Sequence, residues 1–448
     1  MALSCLRRTR RGKDVLSSSA GTATILEMNE ELTRSELAVL EAIHKRGQAT
    51  RADIGAVVGL GPAMAARLVA RLQDAGMVRG AGRAIVAGPG RQAVLVEIHP
   101  DAAYVGGLDI GTDVIHCLIT DAQGTPRAYR EAPSSLLDGQ SQREIISSLA
   151  TILQEVAAEA GLTLDRLTAV GVAITGVIDR EGGICLLRSN TPGWENFAVG
   201  PQLAARLHMP VVLEETARAN GVAELQRGQA HGQRHFLYVD AGMAIGAAIM
   251  IDGQPLRAIH GMAGELGHMI VDPGGPLCRC GNYGCLQASA SARALVARAH
   301  DLLQRGVFST LSRNREPLAL RAIAAAAEGG DKLAYNLLMQ AGEHLGTAIS
   351  MALNILGLDL VVMGGRLAQC SPIVLEAVVR MVRQRALAIV PWERRIVCST
   401  LGSDAAALGA VLQALDHIFA VEPAASVTEA SGFRTWGAEQ ALGRVSFS

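Results

Sequence analysis

The sequence predicts an α/β protein in two main parts: a winged helix-turn-helix head over residues 33–100, and a larger α/β domain over 104–420 that carries a metal-binding loop. Three observations carry this reading. Residues 34–98 run helix, helix, turn, helix, then two short apolar stretches separated by glycines. From residue 105 onward, apolar strand-like runs give way to long helical stretches and return. Residues 261–287, GMAGELGHMIVDPGGPLCRCGNYGCLQ, gather one histidine and three cysteines: His268, Cys278, Cys280 and Cys285.

The head comes first. In RSELAVLEAIHKRG, Leu37, Val39, Leu40 and Ile43 recur at helical spacing and Gly47 closes the helix. The Thr50 hydroxyl can cap a second helix, RADIGAVVG, and Gly59 and Gly61 make the turn. Pro62, a favoured first-turn residue, opens a third helix, PAMAARLVARLQDAG. Met64, Leu68 and Leu72 form its expected apolar stripe, and Arg67 and Arg71, four apart, share another face. The next stretch, to Pro100, reads as a β hairpin.

In such a module the third helix enters the major groove and the hairpin touches phosphates. Residues 34–98 hold nine Arg and Lys against five acids, a local excess of +4. Arg51, Arg67, Arg71 and Arg91 are the expected DNA contacts. Ala63, Ala65 and Ala66 stand where a reading helix often has Ser, Thr or Gln, so readout should lean on Arg67 and on DNA shape. A small helical dimerisation module is the competing reading.

Composition narrows the classes. The formal net charge of the whole chain is -1, so any DNA binding must come from a local basic face. The chain is 49% hydrophobic but only 3% aromatic, so its core must be Ala, Val, Leu and Ile. Eight cysteines, three of them clustered, point to a reducing compartment and metal use. No run of about 18 apolar residues offers a membrane span. The Arg-rich start lacks the apolar core of a secretory signal, which leads to an expected cytoplasmic location. Residues 1–32 read as a flexible extension, and the Ala-, Ser- and Gly-rich tail 421–448 stays unassigned.

The metal loop has the ligand chemistry of zinc: thiolates and an imidazole for a tetrahedral ion, with Gly-Asn-Tyr-Gly between Cys280 and Cys285 to fold a tight turn. Glu265 stands three residues before His268, flanked by Gly264 and Gly267. This G-E-x-G-H followed by C-x-C-G-x-x-G-C resembles the ROK family of repressors, open reading frames and sugar kinases, and the likeness extends over about residues 34–415. The resemblance implies a two-lobed actin-like (ribonuclease H-like) domain, a structural zinc on His268, Cys278, Cys280 and Cys285, and sugar hydroxyls met by Glu265 and His268. One imidazole nitrogen can ligate the metal while the other is fixed elsewhere.

The remaining elements are judged against that resemblance. VGGLDIGTDVIHCLITDAQGTPRAYREAP resembles the opening of an actin-like nucleotide fold, three strands with turns at Gly111-Thr112 and Ala122-Gln123-Gly124. A family kinase would carry D-x-G-G-T-K there. This chain keeps Asp109 and Gly111, but has Thr112 for the second glycine and Asp113 for the Thr, where a carboxylate would repel phosphate. A helix near 142–161 leads to the strand LTAVGVAITGVID, with Gly176 near the cleft, and then to N-x-P-G-W. That segment resembles the family's sugar loop, with Asn190 able to donate and accept toward a hydroxyl and Trp194 stiffening it.

The kinase pattern E-N-D-x-N reads E-E-T-A-R here, which puts Thr216 in place of the general base. A Thr hydroxyl cannot take a proton near pH 7. Adjacent Glu215 should face away, because neighbouring side chains along an extended segment point to opposite sides. In DAGMAIGAAIMIDG, Met243 and Ala244 replace residues of the kinase phosphate loop, and Arg366 stands where a later glycine often lies. Gln287 replaces a sugar-contacting Glu of the family and is itself expected to meet the sugar, its amide able to donate as well as accept. Helices are expected near 291–305 and 318–356, then the strand LDLVVMGG and two closing helices.

The expected function is therefore a sugar-responsive DNA-binding regulator, a repressor of carbohydrate-utilisation genes, working as a homodimer or homotetramer on operator DNA. Structural Zn2+ is expected; ATP and catalysis are not. The competing enzyme reading is a ROK sugar kinase with a DNA-binding head, and a third is a zinc-stabilised sugar-binding protein with no DNA target.

Overall fold

A computed structural model describes residues 32–83, 93–188, 191, 193–258, 261–313, 317–387 and 395–421. Arg91 and Asn190, the tail from 422 and nearly all of the expected N-terminal extension lie outside these.

The head follows the order read from the sequence. Helix α1 (Arg34–Arg46) starts at Thr33 and α2 (Arg51–Val58) at Thr50, each through a reciprocal capping box, with Glu36 and Asp53 as the returning acids. Helix α3 (Pro62–Asp74) has proline in its first turn. Strands β1 (Ala49–Thr50), β2 (Val78–Arg83) and β3 (Val94–Ile98) form a sheet in the order β1-β3-β2, with antiparallel pairings. Helix α3 corrects its expected stripe: Ala65, Leu68, Val69 and Leu72 are buried, whereas Met64 is 40% exposed. A strict four-residue spacing drifts around a helix with 3.6 residues per turn, which carries position 64 out of the core. Its sulfur instead lies 2.9 Å from Arg67 Nη2.

The first lobe is a five-stranded sheet. Strands β4 (Tyr104–Ile110), β5 (Val114–Asp121) and β6 (Pro126–Pro133) form an antiparallel meander. Helix α4 (Gln142–Glu159), capped by Ser141, leads to β7 (Leu167–Ile174), which pairs parallel to β4. A small ribbon, β8 (Val177–Asp179) with β9 (Ile184–Leu187), and helix α5 (Val199–Leu207) precede β10 (Val211–Glu215), parallel to β7. The sheet order is β10-β7-β4-β5-β6.

The second lobe repeats this plan. After α6 (Thr216–Arg227), strands β11 (Phe236–Ala241), β12 (Ile245–Ile251) and β13 (Gln254–Pro255) form the meander. Helices α7 (Leu286–Ala290), α8 (Ala292–Gln304), α9 (Leu320–Glu328) and α10 (Lys332–Leu356) follow. The helical stretch expected over 318–356 is thus broken: Gly330 takes φ +85° and Asp331 caps a new helix. Strand β14 (Val361–Gly364), helices α11 (Gly365–Cys370) and α12 (Pro372–Arg385), β15 (Ile396–Cys398) and α13 (Ala405–Phe419) complete it. The order β13-β12-β11-β14-β15 matches the first lobe strand for strand.

Helices α6 and α13 join the lobes. They touch through small residues: a Cβ on Gly409 would stand 1.8 Å from the Ala219 carbonyl, so only glycine permits this crossing. Helix α13 also lies on the first-lobe sheet, where Gly171 and Gly107 leave room for the backbone at Ala410 and Ala407. At its far end α13 meets the head. His44 Nε2 lies 2.8 Å from Asp416 Oδ1, its ring packs 4.8 Å from that of Phe419, and Leu40, Ile43, Leu415 and Phe419 belong to one continuous core. Among the described residues no single helix is long and apolar enough to cross a membrane.

Candidate functional site

The loop between β13 and α7 is fixed by close backbone approach. Gly264 has φ +94°, and a Cβ on it would lie 1.9 Å from the Ala247 carbonyl; one on Gly267 would lie 2.1 Å from that of Ile245. Those glycines let the loop lie against β12, with Ala247 N donating to Gly264 O at 3.0 Å. A short 3-10 turn, Leu266–His268, then sets Glu265 and His268 side by side. Gly284, at φ +71°, passes so close to the Asp272 carbonyl that a Cβ would stand 1.6 Å from it.

The four candidate ligands converge. One ligand atom from each of His268, Cys278, Cys280 and Cys285 lies within 4.8 Å of the others. Cys280 and Cys285 sulfurs are 3.6 Å apart, and Cys278 sulfur lies 3.9 Å from His268 Nδ1. Two thiolates about 2.3 Å from a tetrahedral ion would be about 3.8 Å apart, so the donor set fits one four-coordinate ion. Burial, then the neighbouring thiols, push the Cys285 thiol up to about 12. The other imidazole nitrogen, Nε2, lies 3.9 Å from Glu265 Oε2, and both side chains are partly open to solvent. Gln287 Nε2 donates to Cys278 Sγ at 3.7 Å, so the amide supports a candidate ligand directly, a role sequence reading missed.

The opposite wall of the cleft has different chemistry. Thr216, the first residue of α6, donates to Asp109 Oδ1 at 3.2 Å and lies 3.2 Å from the Thr175 hydroxyl. Burial, reinforced by Asp240 and Glu215, pushes the Asp109 carboxyl up to about 7. Glu215 is engaged as the cap of α6: its oxygens accept from Ala217 N at 3.0 Å and Arg218 N at 3.1 Å, and burial pushes it up to about 7 as well. Arg188 stacks 4.6 Å over the buried Trp194 ring and donates to Gly111 O at 2.6 Å, which ties the loop after β9 to the turn after β4. Asp113 lies 3.9 Å from Arg293, and Arg366 is exposed.

One network has little local signal. Glu214, buried at the end of β10, takes Arg218 at 2.8 Å, Arg257 at 2.8 Å and Arg180 at 3.4 Å. Arg218 also donates to the carbonyls of Gly261 and Ala263, holding the start of the metal loop. Only the four-residue spacing of Glu214 and Arg218 hints at it in sequence. In the head, Arg51 and Arg67 are exposed, while Arg71 Nε lies 3.2 Å from buried Glu36 and braces α3 on α1.

These features can be set beside known proteins. A ROK family model matches residues 105–417. The xylose repressor of Caldicellulosiruptor bescii is 25% identical over 386 residues, covering 86% of this chain and 96% of that protein. That span exceeds the family-matched residues and reaches into the head. The glucokinase of Thermotoga maritima is 27% identical over 307 residues, 68% of this chain and 95% of that protein. The crystal structure of a ROK family transcriptional regulator, a homolog of the E. coli MLC protein, aligns with a TM-score of 0.72 at 25% identity, covering 86% of this chain and 98% of that one. From its two-lobed core to its Cys- and His-bearing loop, the chain belongs to the ROK family.

Proposed function

We propose that this protein is a sugar-responsive transcriptional repressor of carbohydrate-utilisation genes, acting in the cytoplasm as a homodimer or homotetramer on operator DNA. One observation carries the reading: Glu265 and His268 are partly open to solvent on a loop seated against β12, while Thr216, where a kinase would hold its base, is buried and hydrogen-bonded to Asp109. The likeness to a xylose repressor along most of both chains supports it.

The head is a winged helix-turn-helix, with α3 in the major groove and Arg51, Arg67, Arg71 and Arg91 as its DNA contacts. His268, Cys278, Cys280 and Cys285 hold one structural zinc with no open position, so the metal shapes the loop and supplies no catalysis. The sugar meets Glu265 and His268, with Asn190 and Gln287 as its further contacts.

Sugar that binds one lobe arrangement more tightly shifts the protein toward it. Helix α13 touches both the first-lobe sheet and α1, so lobe motion reaches the head. Two heads moved off the one-turn spacing of about 34 Å lose affinity for their operator. A coupling of about 1–3 kcal/mol would change it roughly 5- to 150-fold. The test is DNA binding by fluorescence anisotropy at a site found by genomic footprinting. Glu265→Ala should keep DNA affinity and lose the sugar response. Equal DNA binding by a chain lacking residues 1–98 would overturn the assignment of the head.

A further inference from the structure

Glu214 is surrounded by more positive charge than it neutralises. Arg218 Nε lies 2.8 Å from its Oε1, Arg257 sets Nε and Nη2 at 3.0 and 2.8 Å from Oε2, and Arg180 Nε lies 3.4 Å from Oε2. Arg218 is 2% exposed and fully engaged with Glu214 and two loop carbonyls. Arg180 and Arg257 are different: each side chain is 31% exposed, so solvent reaches both. The next carboxylate, Glu215, has both oxygens on backbone N–H groups of α6.

Two donors in this cluster have no hydrogen-bond partner. Arg180 Nε, though near Glu214, is not aligned with it, and the Nε2 of Gln413 has none at all. Gln413 is only 5% exposed, and its amide oxygen lies 3.4 Å from Arg180 Nη2, which brings the orphan N–H to the same place. A buried amide donor normally has a partner. Asp416 also faces Arg180, and the cluster still offers two unpartnered donors and two part-exposed guanidiniums, beside a loop that leads within two residues to Glu265.

We infer that Arg180, Arg257 and Gln413 form a subsite for an anionic group, a phosphate or carboxylate, carried by the sugar effector. The ligand is then a sugar phosphate or sugar acid rather than a neutral sugar, an inference that rests on the sugar-effector reading above. The guanidinium fork matches either group in two-point contact, and the Gln413 amide supplies the third donor. Gln413 precedes Asp416, the partner of His44 in the head, by one turn of α13, so the subsite sits on the helix that meets the head.

The test uses full-length protein at fixed ionic strength, with calorimetric titration and thermal unfolding. The ligands are neutral hexoses and pentoses, their phosphate esters, their uronic and aldonic acids, and inorganic phosphate alone. The proteins are wild type, Arg180→Gln, Arg257→Gln and the double variant, each checked for zinc content and melting temperature. At least one acidic form should bind roughly tenfold or more tightly than its neutral parent, and each variant should lose about tenfold of that preference while binding the parent unchanged. If neutral sugars bind and no acidic form does better, the subsite is refuted while the sugar reading survives. An acidic preference that persists in the double variant also refutes it. If phosphate alone stabilises wild type but not the double variant, and no sugar of any kind binds, the anion subsite stands and the sugar reading falls.

Discussion

The two walls of the cleft differ in what holds them. On the metal-loop wall, backbone geometry and chemistry agree: Gly264, Gly267 and Gly284 sit where no Cβ fits, and the loop gathers four candidate ligands, His268 among them, next to an open Glu265. On the facing wall the strand-end architecture is kept but its groups serve one another. Thr216 bonds Asp109, Glu215 caps α6, and Arg188 fastens the turn at Gly111. One wall is therefore set by close backbone approach and the other by side chains that bond one another.

The metal should dominate the first wall. Purified protein is expected to contain about one zinc per chain, and Cys285→Ser or chelation should lower the melting temperature by roughly 10 °C or more. Metal analysis that finds none, with melting indifferent to chelator, would break the comparison at its strongest point.

The glycines sharpen it. Gly264→Ala meets the Ala247 carbonyl and a positive φ at once, and should cost ~3 kcal/mol or more by urea denaturation. Gly242→Ala, whose added Cβ would have 3.6 Å to its nearest neighbour, should cost within ~1 kcal/mol. Equal costs would mean that the metal loop is no more constrained than the turn after β11.

The acidic wall should show itself through pH. Asp109 and Glu215 are both pushed up to about 7, burial being the main cause, whereas their unfolded values are near 4. Between about pH 4 and 7 the folded state therefore holds protons that the unfolded state has released. Stability should fall as pH rises through that window and level off above it. Asp109→Asn should flatten the decline, which denaturation series between about pH 5 and 8 would reveal; an unchanged slope would remove Asp109 from the account.

The smallest effect is none. Loss of a positioned base alone costs about 10²- to 10⁴-fold, so a coupled assay across hexoses, pentoses and N-acetyl sugars should show no sugar-dependent ATP turnover. Thr216→Asp alone should not restore it, because Asp113 and Met243 still stand where the kinase phosphate loops have other residues. Clear turnover on any sugar would make the protein a kinase with a DNA-binding head.

Much of this was legible from local signals. Thr50 and Pro62 mark helix starts that the structure keeps, because caps act within three or four residues. The cysteine spacing brought out the metal cluster because C-x-C-x4-C already confines three sulfurs to one short loop. The order of β4, β5 and β6 followed from apolar runs divided by turn residues. Local sequence alone thus marked the elements of the head, the candidate ligand cluster and the departures at Thr216, Asp113 and Met243. Only the tertiary structure decided that the lobes share one strand order, that Met64 faces outward, that Gln287 turns to Cys278, and that α13 carries the head on the first-lobe sheet. It alone gathered Arg180, Glu214, Arg257 and Gln413. The physical reason is distance along the chain: a cap or a ligand loop is satisfied by its own neighbours, whereas a charge network takes its energy from residues that meet only after both lobes have closed around their shared helices.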